Sequence, residues 1–403
     1  MSLEFLCRCV CLHTQPSYYH RIAREDTSVG KATDLETILY LMKRRNFIHK
    51  ILTLATVSKS SGGILFTQAE KTQMIKTRTN NPDLKTILDT WEGTPVDQDG
   101  RFMNHEFPFI HKFGTVFKWM TTKNPQKQFK KEDTWQLEVI KNDAFLTETK
   151  DMIVWLGHAT FFIRLNGKQI LIDPVLGKIP ATKRHSELPI SPEKLQNLDY
   201  ILVSHAHYDH CDKDSLKLLQ SQNPKAIFLT GLKMKTLLRK WIPNNEIQEA
   251  GWYQQYQTKD DLSIYFLPSR HWSNRSLGDA NERLWGAFVL KSKDKTIYFG
   301  GDSGYGSHFK EVAALFPNID VAMIGAGAYS PRWFMSPNHQ DPEHAVQAFN
   351  ETKAKVMIPF HYGTFDQADE PLSEPEQILR QLEKEGKINQ SLKILKVGEQ
   401  LLV

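Results

Sequence analysis

The pattern of apolar and polar positions becomes regular from Met152 onward. Short apolar runs, rich in β-branched and aromatic residues, alternate there with turn residues, which is typical of β-strands. Between two of these runs, the pair Asn166-Gly167 predicts a two-residue hairpin turn. The runs that predict strands lie at 153–156, 160–165, 169–172, 200–203, 226–229, 263–267, 285–290, 296–299, 321–324 and 355–359.

Segments with a helical pattern lie between several of the predicted strands. They cover 213–221, 233–241, 310–316, 342–351 and 374–385. Hairpins come early in this region, and strands alternate with helices later. This order predicts an α/β (α+β) chain in which sheets pack together and helices lie outside them.

The first 135 residues are less regular. Residues 68–95 predict one or two short helices and a linker, and aromatic residues alternate with lysines over 107–135. We interpret residues 67–135 as an N-terminal arm that packs on a catalytic domain at 136–403. The alternative for 107–135 is peripheral contact with an anionic membrane surface, on which aromatic rings and lysines can dock.

An export signal is one interpretation of the segment 42–66. Arg44 and Arg45, Phe47 and the apolar run 51–57 are similar to a twin-arginine signal. We therefore expect the native chain to begin at Met42, with residues 1–41 an artefactual or disordered extension, and the protein to be periplasmic or otherwise exported. The alternative is a basic amphipathic helix that packs on the domain of a cytoplasmic, membrane-associated protein.

Composition excludes few classes of protein. The 403 residues are 40% apolar, enough for a large core, and the net charge of +5 is too small to indicate a nucleic-acid partner. Cys7, Cys9 and Cys11 lack the second ligand pair that a cysteine zinc site needs, and we expect Cys211 to be a core residue. The sequence contains no apolar stretch of the roughly 20 residues that cross a membrane.

The candidate chemistry begins at the end of the predicted strand 200–203. His205 and His207 follow it, and alternate residues of an extended segment point to the same side, so both can reach one metal ion. Asp209 and His210 come next and can face a second ion. Imidazole and carboxylate groups are the ligands of zinc in hydrolytic sites.

Three later residues repeat this arrangement, because each follows an apolar run that predicts a strand. They are His271, Asp302 and His361, and Asp302 lies in a Gly-Gly-Asp-Ser-Gly loop. Each predicted strand therefore presents a single ligand at its end.

The run His205-Ala206-His207-Tyr208-Asp209-His210, with His271, Asp302 and His361 in that order, resembles the metallo-β-lactamase superfamily. The resemblance implies the metallo-β-lactamase fold, a four-layer αββα sandwich, and two Zn²⁺ ions per chain that share a bridging hydroxide; iron or manganese is the alternative. The implied first site is His205, His207 and His271. The implied second site is Asp209, His210 and His361, and Asp302 bridges the two.

A narrower resemblance covers roughly residues 100–400. The segments 155–160, 171–174, 271–275, 284–286 and 327–335, with His339 and 341–343, are similar to the N-acylphosphatidylethanolamine-hydrolysing phospholipase D-like branch. The branch implies a phospholipid or small phosphodiester substrate, hydrolysed at the headgroup-side P–O bond to leave phosphatidic acid.

Residue roles follow from this reading. We expect Asp209, Tyr208 and His339 to act in catalysis: Asp209 at the second metal, Tyr208 as a donor to a substrate oxygen, His339 on the phosphate or leaving group. Packing for Tyr208 and a surface position for His339 are the alternatives. Asp173 and His158 would orient ligands, and Arg332 would contact phosphate or form a structural ion pair.

Other functions remain open at this point. A lactonase, or another hydrolase of a small soluble substrate, could use the same metal site. A nuclease is disfavoured because the sequence has neither an inserted domain after the ligand loop nor a concentrated basic face near the ligands. A non-catalytic binding module is disfavoured by the full ligand set.

Overall fold

The computed structural model describes residues 75–106, 113–180, 182–259 and 261–403. The predictions for the export signal, for residues 1–66 and for the three N-terminal cysteines lie outside these residues. So does the first part, 107–112, of the aromatic and lysine-rich segment.

A mixed smaller sheet of seven strands begins with antiparallel hairpins and continues with parallel strands, counted over the described residues. Asn166 and Gly167 both have positive φ, 52° and 73°, as the predicted hairpin turn requires. In spatial order the strands are Gln400–Leu402, Met152–Gly157, Thr160–Leu165, Lys168–Ile172, Tyr200–Val203, Ile227–Gly231 and Ile247–Ala250.

A larger sheet of eight strands, counted over the same residues, faces the smaller one. Its first four strands run parallel, and the others are antiparallel. In spatial order they are Ser391–Leu392, Val356–Phe360, Val321–Gly325, Thr296–Phe299, Ala287–Lys291, Ser263–Leu267, Gln254–Gln255 and Lys85–Thr86.

The main core lies between the two sheets. It joins inward-facing side chains of the smaller sheet, such as Trp155 and Phe161, to those of the larger sheet, such as Phe288 and Phe299, and all four are fully buried. A second cluster lies on the outer face of the smaller sheet, where Val154 and Phe162 meet Leu216 of a covering helix. The predicted αββα layers are therefore confirmed.

Helices cover the outer faces, and four of the five helical segments predicted from Met152 onward are confirmed. In 233–241 only Lys235–Leu238 is helical, and the left-handed φ of 65° at Lys233 excludes that residue from a right-handed helix. The helices Phe113–Thr121, Lys127–Glu132 and Arg332–Met335 lie where the sequence predicts none. The α-helices are Phe113–Thr121, Lys127–Glu132, Lys213–Gln222, Lys235–Leu238, His308–Leu315, Arg332–Met335, Pro342–Thr352 and Glu374–Lys384; single 3₁₀ turns occupy Ala144–Leu146 and Pro192–Lys194.

The prediction of short helices within 68–95 is wrong for the part that the structure describes. Ile75–Thr79 pairs with Thr94–Asp97 in a two-stranded antiparallel sheet, and Lys85–Thr86 forms an edge of the larger sheet. Alternating β-branched residues fit a strand better than a helix. Phe102 is fully buried in the main core, so the arm shares the core of the domain predicted to begin at residue 136.

The two helices Phe113–Thr121 and Lys127–Glu132 lie against the C-terminal part of the chain. The Trp119 ring stacks on Phe334 with centroids 4.8 Å apart, and Lys130 pairs with Asp366. Over the residues that the structure describes, no helix combines the length and apolar character needed to cross a membrane.

Candidate metal centre

Strand ends of both sheets bring the seven candidate ligands to one place. The smaller sheet supplies the consecutive loop 205–210 after Tyr200–Val203. The larger sheet supplies one ligand after each of three strands, Ser263–Leu267, Thr296–Phe299 and Val356–Phe360. The ligands fall into two clusters, and the ligand atoms of each cluster lie within 4.8 Å of one another.

The first cluster contains His205, His207, His271 and Asp302. The Nδ1 atom of His207 lies 2.8 Å from His205 Nε2 and 3.1 Å from His271 Nε2. Asp302 Oδ2 lies 3.7 Å from His271 Nε2 and 4.0 Å from His205 Nε2. Three imidazoles and one carboxylate thus surround a single point, which is a donor set that suits Zn²⁺.

The second cluster contains Asp209, His210 and His361, and the His158 ring lies within the same 4.8 Å group. A third group joins His339 to Asp302 and His361. Asp209 Oδ2 lies 3.4 Å from His361 Nε2 and 3.5 Å from His210 Nε2. The same Oδ2 atom of Asp302 that borders the first cluster lies 3.1 Å from both histidine nitrogens. Asp302 therefore stands between the two clusters, where a bridging ligand would lie.

Buried polar atoms in the second cluster fit a cation. The Nε2 atoms of His210 and His361 are buried and face the carboxylates of Asp209 and Asp302, with which they make no well-oriented hydrogen bond. A metal ion among these groups would accept the lone pair of each nitrogen and offset the charge of the carboxylates. The donor types and the geometry of both clusters thus fit metal binding.

The ionisation states differ between the two clusters. Burial lowers the pKa of His210 and of His361, but Asp302 and Asp209 outweigh it, raising the pKa of His210 well above its usual value and that of His361 to about 9, so these rings carry the positive charge that a metal ion would replace. Burial and the neighbouring histidines hold the pKa of both His205 and His271 well below the usual value, so these rings are neutral and able to bind metal. Burial alone would raise the pKa of Asp302, but His210 and His361 hold it well below its usual value. Asp302 is therefore a carboxylate.

Asp173 supports one histidine of each cluster. Its Oδ2 atom accepts hydrogen bonds from His210 Nδ1 at 2.7 Å and from the Ser204 hydroxyl at 2.6 Å. The Ser204 oxygen in turn lies 2.9 Å from His205 Nδ1. With Nδ1 held, the Nε2 atom of each ring faces the cluster, which is the arrangement expected around a metal site.

Asp209 is crowded by two further side chains. Its Oδ2 atom lies 2.9 Å from His158 Nε2 and accepts a hydrogen bond from Gln367 Nε2 at 2.7 Å. His158 thus lies where a ligand-orienting residue is expected. Gln367 could not be found from the sequence, because it lies in an irregular loop and belongs to none of the motifs.

Asp302 owes its position to a glycine. Gly301 has a φ of 59°, and a Cβ atom there would lie 2.7 Å from the Gly286 carbonyl oxygen. Only glycine adopts this backbone conformation at such close approach without strain. The Gly-Gly-Asp loop therefore lets the strand Thr296–Phe299 end with Asp302 aimed between the clusters.

Tyr208, His339 and Arg332 lie in different surroundings. The Tyr208 hydroxyl donates to the Arg275 carbonyl at 3.1 Å, and the Arg275 guanidinium lies 3.7 Å from the centre of the ring. His339 is beside both clusters: its Nδ1 is 3.9 Å from Asp302 Oδ2, and its ring is 5.2 Å from those of His271 and His361.

Arg332 forms ion pairs within the chain. Its Nη2 atom lies 2.9 Å from both carboxylate oxygens of Glu343, and Nη1 lies 3.3 Å from Asp341. Half of the side chain is exposed. Of the two roles considered for Arg332, the ion pair is the one that the geometry supports.

Comparisons with known proteins give a family match and several relatives. Residues 168–362, which contain all seven candidate ligands, match the family model described as the Beta-lactamase superfamily domain. The chain is 32% identical over 270 residues to N-acyl-phosphatidylethanolamine-hydrolyzing phospholipase D 1 of Caenorhabditis elegans, covering 62% of this chain and 75% of that protein.

Two further relatives extend the comparison. The mitochondrial N-acyl-phosphatidylethanolamine-hydrolyzing phospholipase D of Saccharomyces cerevisiae is 30% identical over 58% of this chain and 52% of its own length. The solved structure of isothiocyanate hydrolase from Delia radicum gut bacteria has a TM-score of 0.53 and 20% identity, covering 62% of this chain and 98% of that one. The structural likeness supports the fold alone.

Proposed function

Because the chain belongs to the metallo-β-lactamase superfamily and is a metal-dependent hydrolase, we propose that it is a phosphodiesterase of phospholipase D type. The proposed substrate is an N-acylphosphatidylethanolamine-like phospholipid. The observation that carries the proposal is the pair of ligand clusters around the shared Asp302, with His339 beside both. The names of the worm and yeast relatives support the choice of substrate.

We propose Zn²⁺ as the metal of both clusters, with iron or manganese as the alternatives. Two such ions would supply positive charge for the phosphate oxygens and activate water near neutral pH. His205, His207 and His271 would hold one ion, Asp209, His210 and His361 the other, and Asp302 both. Asp173 and His158 would keep these ligands in orientation through the hydrogen bonds described above.

His339 would act on the substrate as a hydrogen-bond donor. Burial lowers its pKa to about 3, so the ring is neutral at physiological pH. A neutral imidazole carries one N–H, which can donate to a phosphate oxygen. The low pKa disfavours the second role considered for His339, proton donation to the leaving group by an imidazolium ion.

A peripheral contact with membranes would bring the phospholipid to this site. Near the segment that carries His339, the side chain of Trp333 is 43% exposed, and Lys118 Nζ lies 4.7 Å from its ring centre. Phe129 is also exposed. We name Lys118 and Trp333 the aromatic–lysine surface; such side chains, like the exposed Phe129, favour the interface of an anionic bilayer.

The test is a hydrolysis assay with metal-quantified protein. N-acylphosphatidylethanolamine in mixed micelles and bis(p-nitrophenyl) phosphate are offered in parallel, and we expect two metal ions per chain and chelator-sensitive release of phosphatidic acid. Two bound metals with neither substrate cleaved would overturn the phospholipase proposal. That result would favour a lactonase or another hydrolase of a small soluble substrate.

His339→Ala tests the role of that residue. We expect about a hundredfold loss of turnover with both metals still bound, because the residue touches substrate and not metal in this proposal. His344→Ala is the matched control, since His344 is a half-exposed histidine five positions later that pairs with Asp341. Equal turnover of the two variants would remove His339 from the mechanism.

A further inference from the structure

The N-terminal arm reaches the loop that carries the ligand His271. The Phe102 amide donates to the Asn281 carbonyl at 2.8 Å, and Arg101 Nη2 donates to the Gly278 carbonyl at 2.8 Å. Phe102 is itself fully buried in the main core. The strand Thr94–Asp97, which precedes these residues, pairs with Ile75–Thr79. The arm therefore holds the loop 271–281 against the core.

Asn104 makes the closest of these contacts. Its Oδ1 atom accepts a hydrogen bond from the His271 amide at 3.1 Å, and its Nδ2 atom donates to the His271 carbonyl at 2.8 Å. Asn104 is only 6% exposed. One buried side chain thus satisfies both main-chain groups of a candidate metal ligand.

His271 lies beyond the end of its strand, so the strand alone does not fix its backbone. The strand Ser263–Leu267 ends four residues before it, whereas His205 lies two residues after the end of its own strand. The His271 ring is oriented by a contact of Nδ1 with the Asn338 carbonyl at 3.0 Å. Asn104 fixes the backbone, and Asn338 fixes the ring, so the two together place Nε2 in the first cluster.

We propose that Asn104 is a positioning residue of the metal centre, through which the N-terminal arm completes the first metal site. The proposal rests on the metal sites of the proposed function and is independent of the substrate. Residues that hydrogen-bond to metal ligands typically change metal affinity by about 10- to 100-fold when they are replaced. The effect should be confined to the site that contains His271.

Two single-site backgrounds make this selectivity measurable. His361→Ala disables the second site and leaves the first, and His271→Ala does the reverse. Asn104→Ala is introduced into each background in the full chain, and Co²⁺ is titrated into the metal-free protein while its visible absorption is followed. We expect the Co²⁺ affinity to fall at least about tenfold in the His361→Ala background and to stay unchanged in the His271→Ala background.

Asn81→Ala is the matched control on the same arm. Its amide Nδ2 donates to the Glu249 carbonyl at 2.7 Å, away from the ligand loop. It should leave the Co²⁺ affinity of both backgrounds unchanged while costing a similar number of arm hydrogen bonds. Circular dichroism of each variant checks that the fold is retained.

Asn104→Asp keeps the test decisive if Asn104→Ala does not fold. It preserves the size of the side chain and the acceptor for the His271 amide, and replaces the donating amide group by a carboxylate oxygen that repels the His271 carbonyl. We expect it to weaken Co²⁺ binding at the first site. Affinities equal to those of Asn81→Ala in both backgrounds would overturn the proposal. Since no substrate is present, failure of phospholipid hydrolysis would leave this result standing.

Discussion

The two ligand clusters share Asp302 but are supported differently. In the first cluster, both His205 and His271 have Nδ1 within hydrogen-bond distance of an oxygen, at 2.9 Å and 3.0 Å. In the second, His210 is held by Asp173, whereas His361 Nδ1 has no hydrogen-bond partner among the residues described. His361 also has a left-handed φ of 71°, a conformation that few histidines adopt.

The difference shows that the ligand side chains of the two clusters are oriented by different contacts. In the first cluster, hydrogen bonds to Nδ1 orient two of the three histidine rings. The second depends more on the carboxylate of Asp209, which His158 and Gln367 hold from outside. We therefore expect variants to separate into those that affect both metal sites and those that affect one.

The largest effect should come from Asp302→Asn, because Asp302 Oδ2 borders both clusters. We expect fewer than two metals per chain by elemental analysis and at least about a hundredfold loss of turnover. Asp214→Asn, at an exposed helical position, is the control. Two metals bound as tightly as in the parent chain would refute the shared position of Asp302.

Asp173→Asn should come next and should also affect both sites. Its carboxylate supports His210 directly and His205 through Ser204. We expect about a 10- to 100-fold lower metal affinity at each site, measured by competition with a chelator. A loss confined to the second site would mean that the link through Ser204 does not orient His205.

The smallest effect should come from Gln367→Leu, which removes one of the two side-chain hydrogen bonds to Asp209 Oδ2. We expect a decrease of about tenfold or less in the affinity of the second site and none in that of the first. Gln377→Leu, on the helix Glu374–Lys384, is a glutamine control on a different element. Equal losses of metal affinity at both sites would mean that the two clusters are not supported by different residues.

The clustering of the candidate metal ligands could be predicted from sequence because each follows an apolar run. A short apolar run predicts a buried strand. The polar residue that follows it is then expected at the end of that strand, at the edge of the sheet. The hairpin at Asn166-Gly167 could also be predicted, because its turn needs two residues with positive φ and Asn-Gly is the pair that most often adopts them. Such signals are local in the chain.

The supporting residues could not be found in this way. Asn104 contacts His271, 167 positions later in the chain, and Gln367 contacts Asp209, 158 positions earlier. No local sequence pattern marks a side chain for such a distant contact. The strand Lys85–Thr86 is only two residues long and exists because Gln254–Gln255 offers an edge to pair with. Tertiary contacts of this kind override the helical propensity that the sequence suggested for the arm.

The meeting of ligands from two sheets has a consequence for the order in which the protein is made. The four candidate ligands of the smaller sheet lie within six residues, from His205 to His210, and leave the ribosome together. Those of the larger sheet arrive singly and far apart, and His361 is the last. Neither site can be completed until the second sheet has folded against the first. A metal ion would thus bind late and stabilise two sheets that have already folded and packed together. It would not serve as a nucleus around which the chain begins to fold.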